Sequence, residues 1–179
     1  LFDDCNMTGI EVAYELRNAT NHIIGSPTEI MAYGMPYKLL WSELSKVNPD
    51  YHSICTNFIN FYSNYKYEGT PYPYGTISVI DCSQVEAMVD IMKEINASSS
   101  LSTITESNIQ SMDGYTPSIF YDMGDYVRQL AQNDPLLLAK FNRQLDRLVP
   151  EKRHTDAYYT SLRTAGFNII PIQSYSGIT

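Results

Sequence analysis

Three cysteines and three histidines carry most of the nucleophilic and proton-transferring capacity of this 179-residue chain. Cys5 stands in "LFDDCNMTGIEVAYEL" and Cys82 in "TISVIDCSQVEAM". Each follows an aspartate and precedes a capping-box pattern, Thr8 with Glu11 and Ser83 with Glu86. A thiol just ahead of a helix meets free N–H groups and the positive end of the helix dipole, which favour the thiolate. That chemistry is nucleophilic, and the local pattern does not choose between the two residues. Cys55 falls on the apolar face of a helical pattern and reads as a small buried hydrophobe. Three cysteines without close spacing do not make a disulfide framework or a zinc site. His22 starts a strand directly after a helix, His52 opens another helix, and His154 lies in the solvated run "EKRHT". None is followed by glycine.

The elements that must position these groups alternate in type. "LFDD" reads as the tail of a buried strand, so the chain reads as a piece of something longer. After Cys5 a sharp turn leads into a helix with Ile10, Val12, Ala13 and Leu16 on one face. "HIIGSP" is a short strand, and "TEIMAYGMPY" a loop punctuated by Gly34 and Pro36. Helices are predicted over 36–47 and 50–65, the second with Ile54, Phe58, Phe61 and Tyr65 in a stripe. A tyrosine-rich turn region, "YEGTPYPYG", precedes the strand "TISVI" and a helix lined by Val85, Met88, Val89, Met92 and Ile95. After the polar break "ASSSLSTITES" and the tyrosine-rich "DGYTPSIFYD" come helical patterns near 121–132 and 134–149. "FNIIPIQ" is a last strand. Alternating strands and helices predict an α/β layer with a largely parallel sheet and ligands at the C-terminal ends of its strands.

Composition narrows the class of partner. The chain is 44% hydrophobic, enough for a core, and its 15 tyrosines suit half-buried surfaces and clefts. A net charge of −8 disfavours nucleic acid or an anionic membrane and suits a basic substrate or a secreted protein. No apolar run approaches the ~18 residues of a membrane span.

The run "LFDDCNMTGIEVAYELRNATNHIIGSPTEIMAYGMPY" resembles the nucleophile region of the clostripain family of caspase-like cysteine peptidases. Asp-x-Cys at a strand end, the "IEVAYEL" helix, "HIIGSP", "TEI" and "GMPY" carry the likeness; it continues more weakly through "TISVIDCSQVEAM", "FYDMGDYV" and "IIPIQSYSGIT". The resemblance implies a caspase-like sheet with helices on both faces, completed by strands from an upstream segment or partner chain. Residues 1–179 would then be the C-terminal part of the peptidase domain, with a helix-rich portion around 84–150. It implies Cys5 as nucleophile and Asp3 at the base of a pocket for Arg or Lys, where an entering cation must meet a carboxylate. Glu29 is read as a second wall or second anion of that pocket and Ser26 as a further substrate-binding residue. The tyrosine-rich stretches either line the substrate cleft or pack half-buried.

The family's catalytic histidine belongs to a His-Gly pair upstream of the cysteine, and only four residues precede Cys5. The expectation is a partner: the His-bearing N-terminal chain of the same precursor, separated by autoprocessing. The alternative is a catalytically silent binding or adhesion module. Substrates are proteins or peptides with basic residues. No cofactor is required; some relatives need calcium, but the acidic residues here form no recognisable calcium loop. A secreted, periplasmic or bacterial surface location follows from the resemblance and the acidity.

Overall fold

The structure, a computed structural model, describes residues 1–101, 104–162 and 168–179. In chain order the elements are helix α1 (Ile10–Leu16), strand β1 (His22–Gly25), helices α2 (Tyr37–Leu44) and α3 (Tyr51–Ser63), the two-residue strands β2 (Lys66–Tyr67) and β3 (Thr70–Pro71), and strand β4 (Thr76–Asp81). A 3-10 turn at Cys82–Gln84 leads into α4 (Val85–Ser98). Then come α5 (Met123–Leu130), α6 (Pro135–Leu148) and strands β5 (Glu151–His154), β6 (Ala157–Thr160) and β7 (Asn168–Pro171). The Phe167 end of the predicted last strand lies outside the described residues.

The strand sequences explain the layering. In β1 and β4, Ile23 and Ile80 point into a core shared with Ala13 of α1, Met88 of α4, Val127 of α5 and Phe141 of α6. Ile24, Ile77 and Val79 point the opposite way, onto Leu40 of α2 and Ile54 and Phe58 of α3. Period-2 alternation thus buries both faces between helical layers, each such side chain contributing about 1.5–3 kcal/mol. Helices on both faces match the expectation from sequence.

Strand direction does not. The sheet order is β1-β4-β5, and both pairings are antiparallel, with His22 opposite Asp81, Gly25 opposite Ser78, and Thr76 opposite His154. A single helix between β1 and β4 would have carried the chain back to the start of β1. The pair α2 and α3 goes out and returns, so the chain re-enters at the end where β1 finishes. This register places the two candidate cysteines at opposite ends of the sheet. Cys82 donates its N–H to Asn21 O (2.9 Å), before β1 begins, whereas Asn6 and Met7 donate to Thr28 O (3.1 Å) and Ser26 O (2.8 Å), beyond its end.

Neither capping box forms. The N-cap of α1 is Gly9 with no side-chain bond, and the Thr8 hydroxyl is buried without a partner. The carbonyl of Thr179 accepts from Ile10 N–H (2.9 Å) instead, because the segment 176–179 threads between α1, β4 and the start of α5. At the other predicted cap, Asp81 accepts from Ser83 N (2.9 Å), and Glu86 pairs with Arg17. Strand β5, read from sequence as a solvated run, is a charged flanking strand of the sheet, as edges often are. "LFDD" forms no strand; Phe2 N–H bonds Ile24 O (2.8 Å), which lays this segment against β1.

One buried carboxylate organises the segment behind β6. Asp113 accepts from Tyr115 N (2.8 Å), Ser118 Oγ (2.9 Å), Ile119 N (2.8 Å) and Phe120 N (2.6 Å). A side chain at Gly114 would strike Thr160, so this loop backs directly onto the end of β6. Replacing Asp113 with Ala strands three N–H groups. The expected loss is about 3 kcal/mol, or a Tm lower by roughly 10 °C by calorimetry. An unchanged Tm would mean that water restores those bonds.

Candidate active site

Cys5 lies on the loop that crosses the finishing end of β1. Asn6, next to it, takes a left-handed backbone (φ 56°), a conformation that asparagine tolerates. This turn leaves Cys5 half-buried, whereas Cys55 and Cys82 are buried. Ile30 N–H points at Cys5 Sγ (3.4 Å). Helix α1 starts only at Ile10, whose N–H is taken by Thr179, so the expected help from a helix N-terminus does not reach the sulfur.

The electrostatics follow from that placement. Burial pushes the Cys5 thiol above its ordinary value; Ile30 N–H opposes this, and the negative charges of Glu29 and Asp4 add to it. The sequence argument predicted a lowered value; burial is the main cause of the reversal, and the nearby carboxylates add to it. Burial raises Cys82 as well, and Cys55 to about 12. The backbone N–H of Cys5, which an oxyanion would use, donates to Asp4 Oδ1 (2.8 Å).

Asp3 is exposed and held from one side. Its Oδ1 accepts from Met35 N (2.8 Å) and its Oδ2 from the Tyr37 hydroxyl (3.0 Å). Gly34 has φ +75°, and a Cβ there would sit 2.6 Å from Asp3 Oδ1, so this contact needs glycine. A carboxylate has about four lone-pair sites, and Asp3 keeps roughly half of them for an incoming donor.

Two other sequence candidates occupy different roles. Ser26 is sealed from solvent, its hydroxyl 2.6 Å from that of Thr76 and 3.4 Å from that of Thr28. It braces the loop and has no surface for a substrate. Glu29 is no open pocket anion: it accepts from the Thr160 hydroxyl, from Ser161 N (3.0 and 3.1 Å to its two oxygens) and from Ser161 Oγ (2.7 Å). It clamps the segment after β1 to the end of β6.

Beside these groups lies a cleft of ≈ 630 Å³ lined by Glu29–Tyr33, Tyr65, Tyr67, Tyr72, Tyr159 and Ser161. Tyr67 and Tyr72 come from the first tyrosine-rich stretch; none of its lining comes from "DGYTPSIFYD". Tyr33, Tyr65, Tyr159 and the Ile30 backbone were not anticipated. Only the proximity of "TEIMAYGMPY" to the nucleophile signature could have pointed to the first and last.

The histidines stand elsewhere. His22 is at the opposite end of the sheet, its ring tilted against that of Tyr51 at 4.8 Å; His52 meets Glu151 (3.4 Å) and Arg153. His154 shares the Cys5 end but is two strands away on β5, with Nδ1 2.8 Å from Thr155 O. Among the described residues no three of His, Cys, Asp and Glu converge as metal ligands, and no helix is long and apolar enough to cross a membrane.

Comparison with known proteins places this geometry. Residues 1–160 match the clostripain family. The chain is 46% identical to a clostripain from Bacteroides thetaiotaomicron ATCC 29148 solved with the peptide inhibitor BTN-VLTK-AOMK (TM-score 0.89, 99% of this chain, 75% of that one). It is also 46% identical to a secreted C11 cysteine protease from Bacteroides thetaiotaomicron, "iotapain" (TM-score 0.90, 100% and 48%). Identity is 30% to an inactive zymogen C11 protease from Parabacteroides distasonis (TM-score 0.85, 99% and 50%). The chain therefore spans about half the length of the last two. No curated protein matches it. With the family matched over most of its length and a half-exposed cysteine at the end of the sheet where that family's signature falls, this chain belongs to the clostripain family of cysteine peptidases.

Proposed function

We propose that residues 1–179 are the cysteine-bearing, C-terminal part of a caspase-like endopeptidase domain that cuts after Arg or Lys. The observation that carries this reading is the setting of Cys5: of the three thiols, it is the one that is not buried, and it lies next to a cleft. Its Sγ attacks the scissile carbonyl carbon. The oxyanion takes over the Cys5 N–H now bonded to Asp4, an exposed side chain that can turn away. A histidine accepts the Cys5 thiol proton as the sulfur attacks, passes it to the leaving amine, then takes a proton from the water that cleaves the thioester and returns it to the sulfur. That histidine comes from an upstream segment, carried on a separate chain after maturation. The zymogen relative supports a maturation step. No cofactor enters this chemistry.

Asp3 receives the substrate's basic side chain through its unspent lone pairs, in a charge-assisted hydrogen bond. The secreted relative and the acidic composition support a location outside the cytoplasm, with protein or peptide substrates.

Four measurements test this. In the native protein, a basic chloromethyl ketone should label Cys5 alone, with Cys55 and Cys82 protected by burial; equal labelling of all three overturns the assignment. Because the Cys5 pKa is raised, the sulfur is a neutral thiol below it. Alkylation of this chain on its own should therefore climb about tenfold per pH unit through neutrality, and a cationic imidazole from the partner should move that rise to lower pH. Asp3→Asn should lower kcat/KM for arginyl peptides by 100-fold or more with an unchanged circular-dichroism spectrum, and undiminished turnover removes Asp3 from the pocket. Intact mass of the protein purified from its source should reveal a tightly bound second polypeptide containing His-Gly. A single active polypeptide ending the search would refute the two-chain arrangement.

A further inference from the structure

We propose that the tyrosine cleft is a second substrate subsite, one that takes a large apolar side chain of the same peptide whose basic side chain sits at Asp3. The proposal rests on Cys5 being the nucleophile.

Continuity carries it first. Ile30 points its N–H at Cys5 Sγ and lines the cleft, Met31–Tyr33 continue the wall, and Met35 binds Asp3. One backbone run therefore presents the sulfur contact, the cleft and the carboxylate. A peptide extended across the sulfur with one side chain at Asp3 has to lay a different side chain against this wall.

The chemistry of the walls selects the occupant. Tyr33 packs on Phe61 (4.8 Å) and Tyr65 (5.6 Å), and Tyr72 meets Tyr159 edge-on (6.1 Å). Tyr72 N–H bonds Tyr65 O (2.9 Å), which ties the β2–β3 side of the cleft to the turn that follows α3. The surface is thus built before any ligand arrives, and binding pays little for ordering. Yet Tyr33 and Tyr67 remain 55% and 58% exposed, an uncovered aromatic face beside a reactive centre. Among the described residues, the only charge in the lining is Glu29, and its oxygens are already engaged by Thr160 and Ser161. A cation entering here would have to break that clamp, whereas Leu, Met or Phe would cover tyrosine and isoleucine surface at no polar cost. A volume of ≈ 630 Å³ lies within the roughly 300–1,000 Å³ usual for ligand sites, so a large side chain has room.

The test uses the processed, full-length protein and internally quenched peptides with a single Arg, each other position on both sides of it varied in turn among Leu, Phe, Gly, Asp and Lys. At one position Leu or Phe should raise kcat/KM at least tenfold over Gly and Asp. Tyr33→Ala and Tyr67→Ala, truncations at exposed positions, should reduce that ratio below threefold. Three results would each overturn the proposal: no position discriminates, Lys is preferred at the discriminating position, or the tyrosine variants keep the full ratio. Binding of the same peptides to the Cys5→Ala variant by calorimetry gives the same ranking without turnover, and equal affinities would also overturn it. Cleavage that persists in Cys5→Ala would instead refute the nucleophile, a separate outcome.

Discussion

At the finishing end of β1, the hydroxyls of Ser26, Thr28 and Thr76 are closed off from solvent and bond one another, with Thr28 and Thr76 2.7 Å apart. Buried hydroxyls without partners are costly, so this cluster locks the first turn after β1 onto the start of β4. The carbonyls of Ser26 and Thr28 then receive the N–H groups of Met7 and Asn6, which lays the cysteine-bearing loop on that locked turn. From there the chain passes in sequence through the Glu29 clamp, the Ile30 contact to sulfur and the Gly34–Met35 contact to Asp3. Every group of the candidate site is referenced to those three hydroxyls.

The site is also electrostatically unfinished. Burial is the largest cost to a thiolate at Cys5, and two carboxylates, Glu29 and Asp4, add to it, in a chain of net charge −8. Negative charge suits a basic substrate but opposes a thiolate. Each unit of pKa change is about 1.4 kcal/mol between thiol and thiolate. Ile30 N–H offsets part of the penalty, and the rest requires a cation. A positive charge placed beside the sulfur would lower that cost, because it favours the thiolate over the thiol.

The sequence made helices and core legible because their periodicity is strong: α3, α4 and α6 lie where the apolar stripes predict, and Asp50 and Asp134 cap two of them by accepting N–H groups. Strand direction was not legible, because it depends on whether one helix or two intervene and on where they dock. The capping box failed at Thr8 because the distant Thr179 carbonyl takes the Ile10 N–H, which no local pattern records, and at Ser83 because Asp81, two residues earlier, takes the Ser83 N–H and hydroxyl. The Asp-x-Cys signature singled out Cys5 and Asp3 as candidates. The cleft could not, since Tyr33, Tyr65, Tyr72 and Tyr159 come from four separate segments and meet only through the fold.

Hydrogen-bond accounting separates two carboxylates that sequence treats alike. Asp3 accepts one bond on each oxygen, so a guanidinium can join without displacing anything. Glu29 accepts on both oxygens from a serine N–H and from two hydroxyls, and a cation there would compete with the join between the loop after β1 and β6. Losing such bonds costs about 1–3 kcal/mol for each group left unsatisfied, enough to cancel most of a half-exposed ion pair. One acid is therefore free to recognise charge, and the other is consumed in holding the wall beside it.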